Sequence, residues 1–265
     1  MEVKMSKKVR EDYTLGLEGK LDMVRKSIRA VTRGYTVARC VTGDKGIGKS
    51  FTVIDEVDRE IEVAASEGRI LKRQVITGGI KDALSFYATL CDYNDPNMVL
   101  ILDDINTVLT NKDCRELLRA AVTNEPERLI AYLSSNKVIR GMRGTYFNKI
   151  KFKSKIILVT NIQKAKAEKI DSGVMSRMSP IEIKTTIPEL FEWIGKNLKN
   201  VGSETIPFEW KEEVYNFIRD EITLAKVKHM DFRAMQDSLM WYASCVSRDG
   251  EVDPQWKQFV HTILC

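Results

Sequence analysis

Residues 43 to 50 read Gly-Asp-Lys-Gly-Ile-Gly-Lys-Ser, a G-x-x-x-x-G-K-[ST] pattern set between a short apolar run and a longer helical one. That arrangement constrains the fold more than any other feature. The run Tyr35 to Thr42 has strand character, and Ser50 to Ala65 has helical spacing. Glycines let a backbone wrap round an anion without Cβ clashes, and the N–H groups that open a helix then face it. The pattern predicts a phosphate cradle built from the backbone of Gly43, Lys45, Gly46, Ile47, Gly48, Lys49, Ser50 and Phe51. Lys49 is expected to reach the β- and γ-phosphates of a nucleotide, and the Ser50 hydroxyl to ligate Mg²⁺.

The rest of the first 183 residues alternates apolar runs with helical patterns. Arg73 to Ile76, Val99 to Leu102, Lys155 to Thr160 and Ile181 to Ile183 read as strands, and Lys81 to Cys91 as a helix. Continuous apolar strands separated by helices predict an α/β fold with a parallel sheet covered on both faces. Two strands end in polar residues suited to the phosphate loop. Met98-Val-Leu-Ile-Leu102 runs into Asp103, a candidate metal ligand, and Asp104, placed to orient or deprotonate an attacking water. The Lys155 strand ends at Asn161, whose amide can hydrogen-bond a γ-phosphate or that water.

After Lys184 the strand signal stops. Thr186-Ile-Pro-Glu189 has the form of a capping box, Pro207 can open a second helix, Asp231 can cap a third, and Asp253-Pro254 a fourth. Two domains follow: residues 1–183, α/β, and residues 184–265, helical. Composition excludes other classes. With 43 % hydrophobic and 30 % charged residues the chain is neither disordered nor built to span a bilayer. No apolar stretch follows the charged start, so no secretory signal is expected. The five cysteines lack metal-ligand spacing and read as thiols in a reducing cytoplasm. The four tail tryptophans read as helix-packing residues.

The order phosphate loop, apolar strand with Asp103-Asp104, strand with Asn161, Ser176-Arg177 and helical tail resembles the AAA+ ATPases along nearly the whole chain. The resemblance implies ATP hydrolysis with Mg²⁺ by a homo-oligomer, a ring or open hexamer. It implies that Leu17-Glu-Gly19-Lys20 lines the adenine pocket and that Asn161 is sensor 1. Arg177 then stands where a finger enters the neighbour's site, although Arg115, Arg119 and Arg128 could approach a subunit boundary too. Asp231-Phe-Arg233-Ala-Met235 is similar to sensor 2, which puts Arg233 on the nucleotide. Many members have Asp-Glu where this chain has Asp103-Asp104, and the shorter side chain leaves room for an ATP-dependent switch with little turnover. The Asp-Asp-Ile run is similar to bacterial replication initiators and helicase loaders. The general shape resembles small AAA+ ATPases of bacteriophages and mobile elements. No initiator-type DNA-binding domain is expected after the tail.

Charge adds one more feature. The chain carries 42 basic and 37 acidic residues, a net +5, yet residues 136–155 hold seven basic residues and no acidic one. Without that window 35 basic residues face 37 acidic ones. Lys149, Lys151, Lys153 and Lys155 alternate with Ile150, Phe152 and Ser154, predicting a strand with a lysine face. It is expected to form the second arm of a hairpin whose tip is Gly141 to Gly144. Arg140, Arg143, Tyr146, Phe147, Lys149 and Lys151 are candidate substrate contacts, the cations for nucleic-acid phosphates and the rings for bases. DNA remodelling, or loading of a replication protein, is the function this suggests. A polypeptide-gripping motor or assembly chaperone with a protein partner, and a solvated hairpin protecting an edge, are the alternatives.

Overall fold

The computed structural model describes residues 15–132, 138–223 and 225–265. The N-terminal cations Lys4, Lys7, Lys8 and Arg10, and the first residues of the basic window, lie outside the described residues. The described chain opens with α1 (Leu17–Thr32), β1 (Ala38–Gly43), α2 (Lys49–Ser66), β2 (Lys72–Thr77), α3 (Ala83–Asp92) and β3 (Met98–Asp103). A single turn, α4 (Thr107–Thr110), and α5 (Lys112–Ala121) lead to four short strands: β4 (Arg128–Ala131), β5 (Val138–Arg140), β6 (Thr145–Phe147) and β7 (Lys149–Phe152). Then come β8 (Lys155–Thr160), α6 (Lys164–Ile170), α7 (Ser172–Met178) and β9 (Ile181–Ile183). The tail is helical: α8 (Ile187–Lys196), α9 (Phe208–Phe217), α10 (Phe232–Ser244) and α11 (Trp256–Leu264).

The expected parallel sheet is present, in the order β2-β3-β8-β1-β9. Its strands are apolar on both faces because each face has its own helical cover. Val99, Ile101, Ile157 and Val159 pack with α1, α2 and the tail. Their alternates Leu100, Leu102, Ile156 and Leu158 pack with α3, α5 and α7. β1 starts three residues later than its β-rich sequence suggests. The amides of Tyr35 and Thr36 both donate to the Ala30 carbonyl, finishing α1, and Tyr35 is left exposed.

Helix α1 lays Leu21, Val24, Ile28 and Val31 on the core and is fastened to α2 by two ion pairs. Arg29 meets the buried Glu56 at 2.6 Å, and Arg33 meets the buried Glu60 at 2.9 Å. The Thr32 hydroxyl also donates to Glu60, at 3.1 Å. In the tail, Thr186 caps α8 by accepting from the Glu189 amide, and Asp231 caps α10 by accepting from the Ala234 amide. The Thr186 box is only half made, because the Glu189 carboxylate turns to Lys20 and Thr185 instead. The tryptophans do serve packing: Trp256 is buried against Phe217 and Tyr242, and Trp193 meets Phe232 edge-on.

The basic segment is built differently from the expected hairpin. The tip at Gly141 to Gly144 closes β5 onto β6, whereas the lysine strand β7 pairs with β4, with Lys149 opposite Ala131 and Phe152 opposite Arg128. The chain breaks pairing at Asn148, whose carbonyl accepts from the Tyr132 amide. The period-two prediction holds for β7: Lys149 and Lys151 are exposed while Ile150 and Phe152 face α3 and α5.

Glu60 provides a stability test. Arg33, through hydrogen bonds, holds its carboxyl below the ordinary value of 4.5, so the stabilisation is complete above that value and is lost as pH falls below it. Glu60→Gln should destabilise by ~1–2 kcal/mol at neutral pH, since Arg33 is partly solvated. Thermal melting between pH 3 and 7 should show the gap to wild type closing on the acid side.

Candidate functional site

The parallel register carries the ends of β1, β3 and β8 to one edge of the sheet. Thr42 pairs with Thr160, and Asp103 with Val159, so Gly43, Asp103 and Asn161 emerge side by side. Lys49, in the first turn of α2, is buried at this edge and donates to the Asn161 side-chain oxygen at 2.9 Å and to the Gly43 carbonyl at 3.0 Å. A further bond goes to the Asp44 carbonyl. The Ser50 hydroxyl donates to Asp103 Oδ1 at 2.7 Å. Burial pushes the Lys49 ammonium down to about 8, against the pull of Asp44, Asp104 and Asp103. All three acceptors are neutral oxygens, and a polyphosphate would offer this cation charged ones.

Asp104 is exposed and has φ 53°, a left-handed conformation that short polar residues tolerate best. Its amide donates to the Val159 carbonyl at 2.9 Å, which fixes the backbone at this position. Ser50 and Asp103 supply two hard oxygens, a set suited to Mg²⁺ that takes its remaining ligands from phosphates and water. Among the described residues no group of three or more His, Cys, Asp or Glu side chains could hold a metal without such help.

Beside the loop lies an open cleft of about 590 Å³. Its walls are Lys45 and Ile47 of the loop, Thr186 and Leu190 at the start of α8, and Met230 and Arg233 around the start of α10. Arg233 therefore reaches the same cleft as the loop. Leu17 to Lys20 do not line it: Leu17 is in the core, and Lys20 is held by Glu189 at 2.9 Å and the Lys184 carbonyl at 2.7 Å. Asp231, expected as a helix cap at the start of the segment similar to sensor 2, also closes on the phosphate loop. The Phe232 amide donates to the Gly46 carbonyl at 2.9 Å, and a Cβ on Gly46 would overlap the Asp231 carboxylate. No local pattern signals that contact, because it joins segments 185 residues apart.

Arg177 lies away from this cleft. Its guanidinium donates to the Gly173 carbonyl at 2.8 Å, close to Arg119, which is bound to Asp171 at 2.6 Å. Arg115 joins the same carboxylate at 3.6 Å. The structure thus gathers three of the four finger candidates at one place and removes the fourth. Arg128 is buried, donating to the carbonyls of Ala121, Ser154 and Lys153.

The six candidate substrate contacts divide as well. Arg140, Arg143, Phe147, Lys149 and Lys151 are exposed, Phe147 by 76 %, and Lys151 is paired with Glu127. Tyr146 turns inward, donating its hydroxyl to Asp92 at 2.7 Å, and the Arg143 guanidinium lies 4.4 Å over the Tyr93 ring.

No family model matches the sequence, and neither does any curated protein. Solved structures do resemble the fold. The Aeropyrum pernix Orc1 protein, in a complex with DNA, aligns at TM-score 0.59 and 13 % identity over 96 % of this chain and 67 % of its own. Domain III of the Thermotoga maritima replication initiation protein DnaA aligns at 0.52 and 12 %, covering 90 % of both chains. The closed state of Hsp104 with ATPγS and FITC-casein aligns at 0.52 and 14 % over 94 % of this chain and 44 % of its own. At such identities the likeness is one of fold, and the chain has the AAA+ fold. No helix among the described residues is long and apolar enough to cross a membrane.

Gly46 tests the contact between loop and tail. With φ +67° and the Asp231 carboxylate against it, Gly46→Ala should cost ~1–3 kcal/mol, from left-handed strain plus displacement of the first turn of α10. In an Asp231→Ala background the cost should shrink, and a double-mutant cycle by urea denaturation reads the difference.

Proposed function

We propose that the chain is a Mg²⁺-dependent ATPase that works as a homo-oligomer and drives the remodelling of DNA or the loading of a replication protein. The observation that carries the nucleotide half is the convergence of Lys49, Ser50, Asp103 and Asn161 at one sheet edge. In this reading residues 1–183 form the nucleotide domain and residues 184–265 a helical lid. Lys49 would exchange the loop carbonyls for the β- and γ-phosphates, and Ser50 and Asp103 would hold the metal. Bound Mg²⁺ would supply positive charge to the phosphate oxygens. Asp104 orients or deprotonates the attacking water, Asn161 bonds the γ-phosphate, and Arg233 meets the nucleotide from α10. Arg177, absent from its own cleft, serves the site of a neighbouring subunit, as a cation does where charge develops on a transferring phosphoryl group.

The DNA half rests on the outward face of the four short strands. Arg140 and Phe147 lie on the same face of the β5–β6 hairpin, and Lys149 and Lys151, exposed on β7, follow directly in the chain. Cations spaced along a ribbon match a phosphate backbone, and the Phe147 ring can stack on an unpaired base. The Thermotoga maritima DnaA is a replication initiation protein whose domain III has the same fold, and the Aeropyrum pernix Orc1 protein of that fold was solved in complex with DNA. One observation favours a polypeptide instead: Met142, 91 % exposed, adds an apolar side chain to the same tip.

ATP turnover measured against protein concentration should rise per subunit as subunits assemble and vanish in Lys49→Ala. Because burial pushes the Lys49 ammonium down to about 8 and phosphate favours its charged form, ATP affinity should fall as pH rises through that region; Lys49→Arg should lack that slope. Turnover indifferent to concentration would remove the oligomer from the proposal.

Single-stranded or duplex DNA should stimulate hydrolysis. Replacing Arg140, Lys149 and Lys151 together by Ala should lower the dependence of log affinity on log salt by about three units, one per lost phosphate contact. Stimulation by a protein partner with no response to DNA would select the polypeptide reading.

A further inference from the structure

The basic ribbon is not a free arm. Four consecutive residues that join α3 to β3, Asp92 to Asp95, bind it along its length. Asp92, 9 % exposed, accepts from the amides of Met142 and Arg143, each at 2.8 Å, and from the Tyr146 hydroxyl at 2.7 Å. Tyr93 carries the Arg143 guanidinium over its ring. The Asn94 amide donates to the Lys151 carbonyl at 2.9 Å and accepts from the Lys153 amide at 2.7 Å. The Asp95 amide donates to the Ser154 hydroxyl at 2.8 Å.

Asp92 is the part of this clip that reaches the tip. A carboxylate that accepts two successive turn amides fixes the turn as a helix cap fixes a first turn. Its fit is close: a Cβ on Gly141 would lie 2.5 Å from its Oδ1, so only glycine lets the turn come down onto the carboxylate. Burial and the Asp92 hydrogen bond raise the Tyr146 phenol to about 12, so it remains the donor at every working pH. Tyr146 and Ile139 stand opposite each other and face inward, which turns the alternate positions Arg140 and Phe147 outward.

We propose that Asp92 is the positioning residue of the nucleic-acid face: by holding the turn at Met142 and Arg143, it sets the pose in which Arg140, Phe147 and Lys149 meet a single strand. The proposal rests on the reading of that face as the DNA-binding surface. Its sign is unusual. An acidic side chain beside a basic patch repels phosphates, so by charge alone its removal should tighten binding. If Asp92 positions the ribbon, its removal weakens binding instead.

The test uses the full chain with Asp92→Asn, Asp92→Ala and the milder Tyr146→Phe, which keeps the carboxylate and loses one hydrogen bond. Titration with a fluorescent oligothymidine at several salt concentrations should show about tenfold weaker binding for Asp92→Ala, the loss of roughly one phosphate contact and one stacked base. The salt slope should fall by about one unit, and Tyr146→Phe should lie between it and wild type. Hydrogen exchange should show the Met142 and Arg143 amides protected in wild type and released in Asp92→Ala. Equal or tighter DNA binding by the Asp92 variants, with wild type binding well, overturns the positioning role and leaves the DNA reading standing. Unprotected Met142 and Arg143 amides in wild type overturn it as well. A wild type that binds no oligonucleotide sinks the DNA reading and this proposal together.

Discussion

The parallel pairing of β3, β8 and β1 is the constraint on which the candidate site depends. Each strand brings one group to the shared edge, and the register decides whether those groups meet. In a sheet with one wet face, polarity would penalise a slip of one residue. Here both faces are dry, so an alternation of Leu and Val between two apolar layers hardly distinguishes one register from the next. The polar contacts at the edge supply the discrimination. Asp104 is anchored to Val159, Ser50 reaches Asp103, and Lys49 spans from the loop to Asn161. A shift of any one of the three strands by one residue, about 3.3 Å, would break two of them. The groups suited to chemistry therefore also lock the sheet.

The loop has a second support outside the sheet. Helix α10 begins against it, through the Phe232 amide on Gly46 and the Phe232 ring near Gly48, and Trp193 of α8 backs that ring. The hydrophobic layer under the loop runs without a break from α1 and α2 into the tail helices. The shape of the phosphate loop is thus a property of both halves of the chain. The cleft exists because α8 and α10 stand off from the loop at Thr186 and Arg233 while touching it at Asp231.

Features written in short windows were legible in the sequence. The loop, the apolar strands, the Asp103-Asp104 and Asn161 termini and the caps at Thr186 and Asp231 each follow from local pattern, and each sits in the expected element. Helix α1 carries the same kind of local signal, with Leu17, Leu21, Val24, Ile28 and Val31 at helical spacing, but its fastening is long-range, since Arg29 and Arg33 find their acidic partners only on α2. The ribbon was legible in period but not in pairing. Alternation shows which side chains share a face, whereas the partner strand is a long-range choice, and β7 chose β4 over the nearer β6. The Asp92 clip left no local signature either. Asp-Tyr-Asn-Asp-Pro reads as an ordinary turn, and only the tertiary structure shows that its polar atoms face another segment rather than water.

The basic window also changes meaning once its attachment is known. Seven cations on a flexible loop would search for an anion and bring an entropic cost to every contact. Clipped to the α3–β3 connection, the exposed ones are tied to the segment that leads into β3. That strand starts just after the clip and ends at Asp103, six residues or roughly 20 Å away. In a strand buried on both faces and hydrogen-bonded on both sides, there is little compliance to absorb displacement over that distance. The local charge of the basic window is thus attached, through Asp92 to Asp95, to the segment that leads into the strand ending at Asp103.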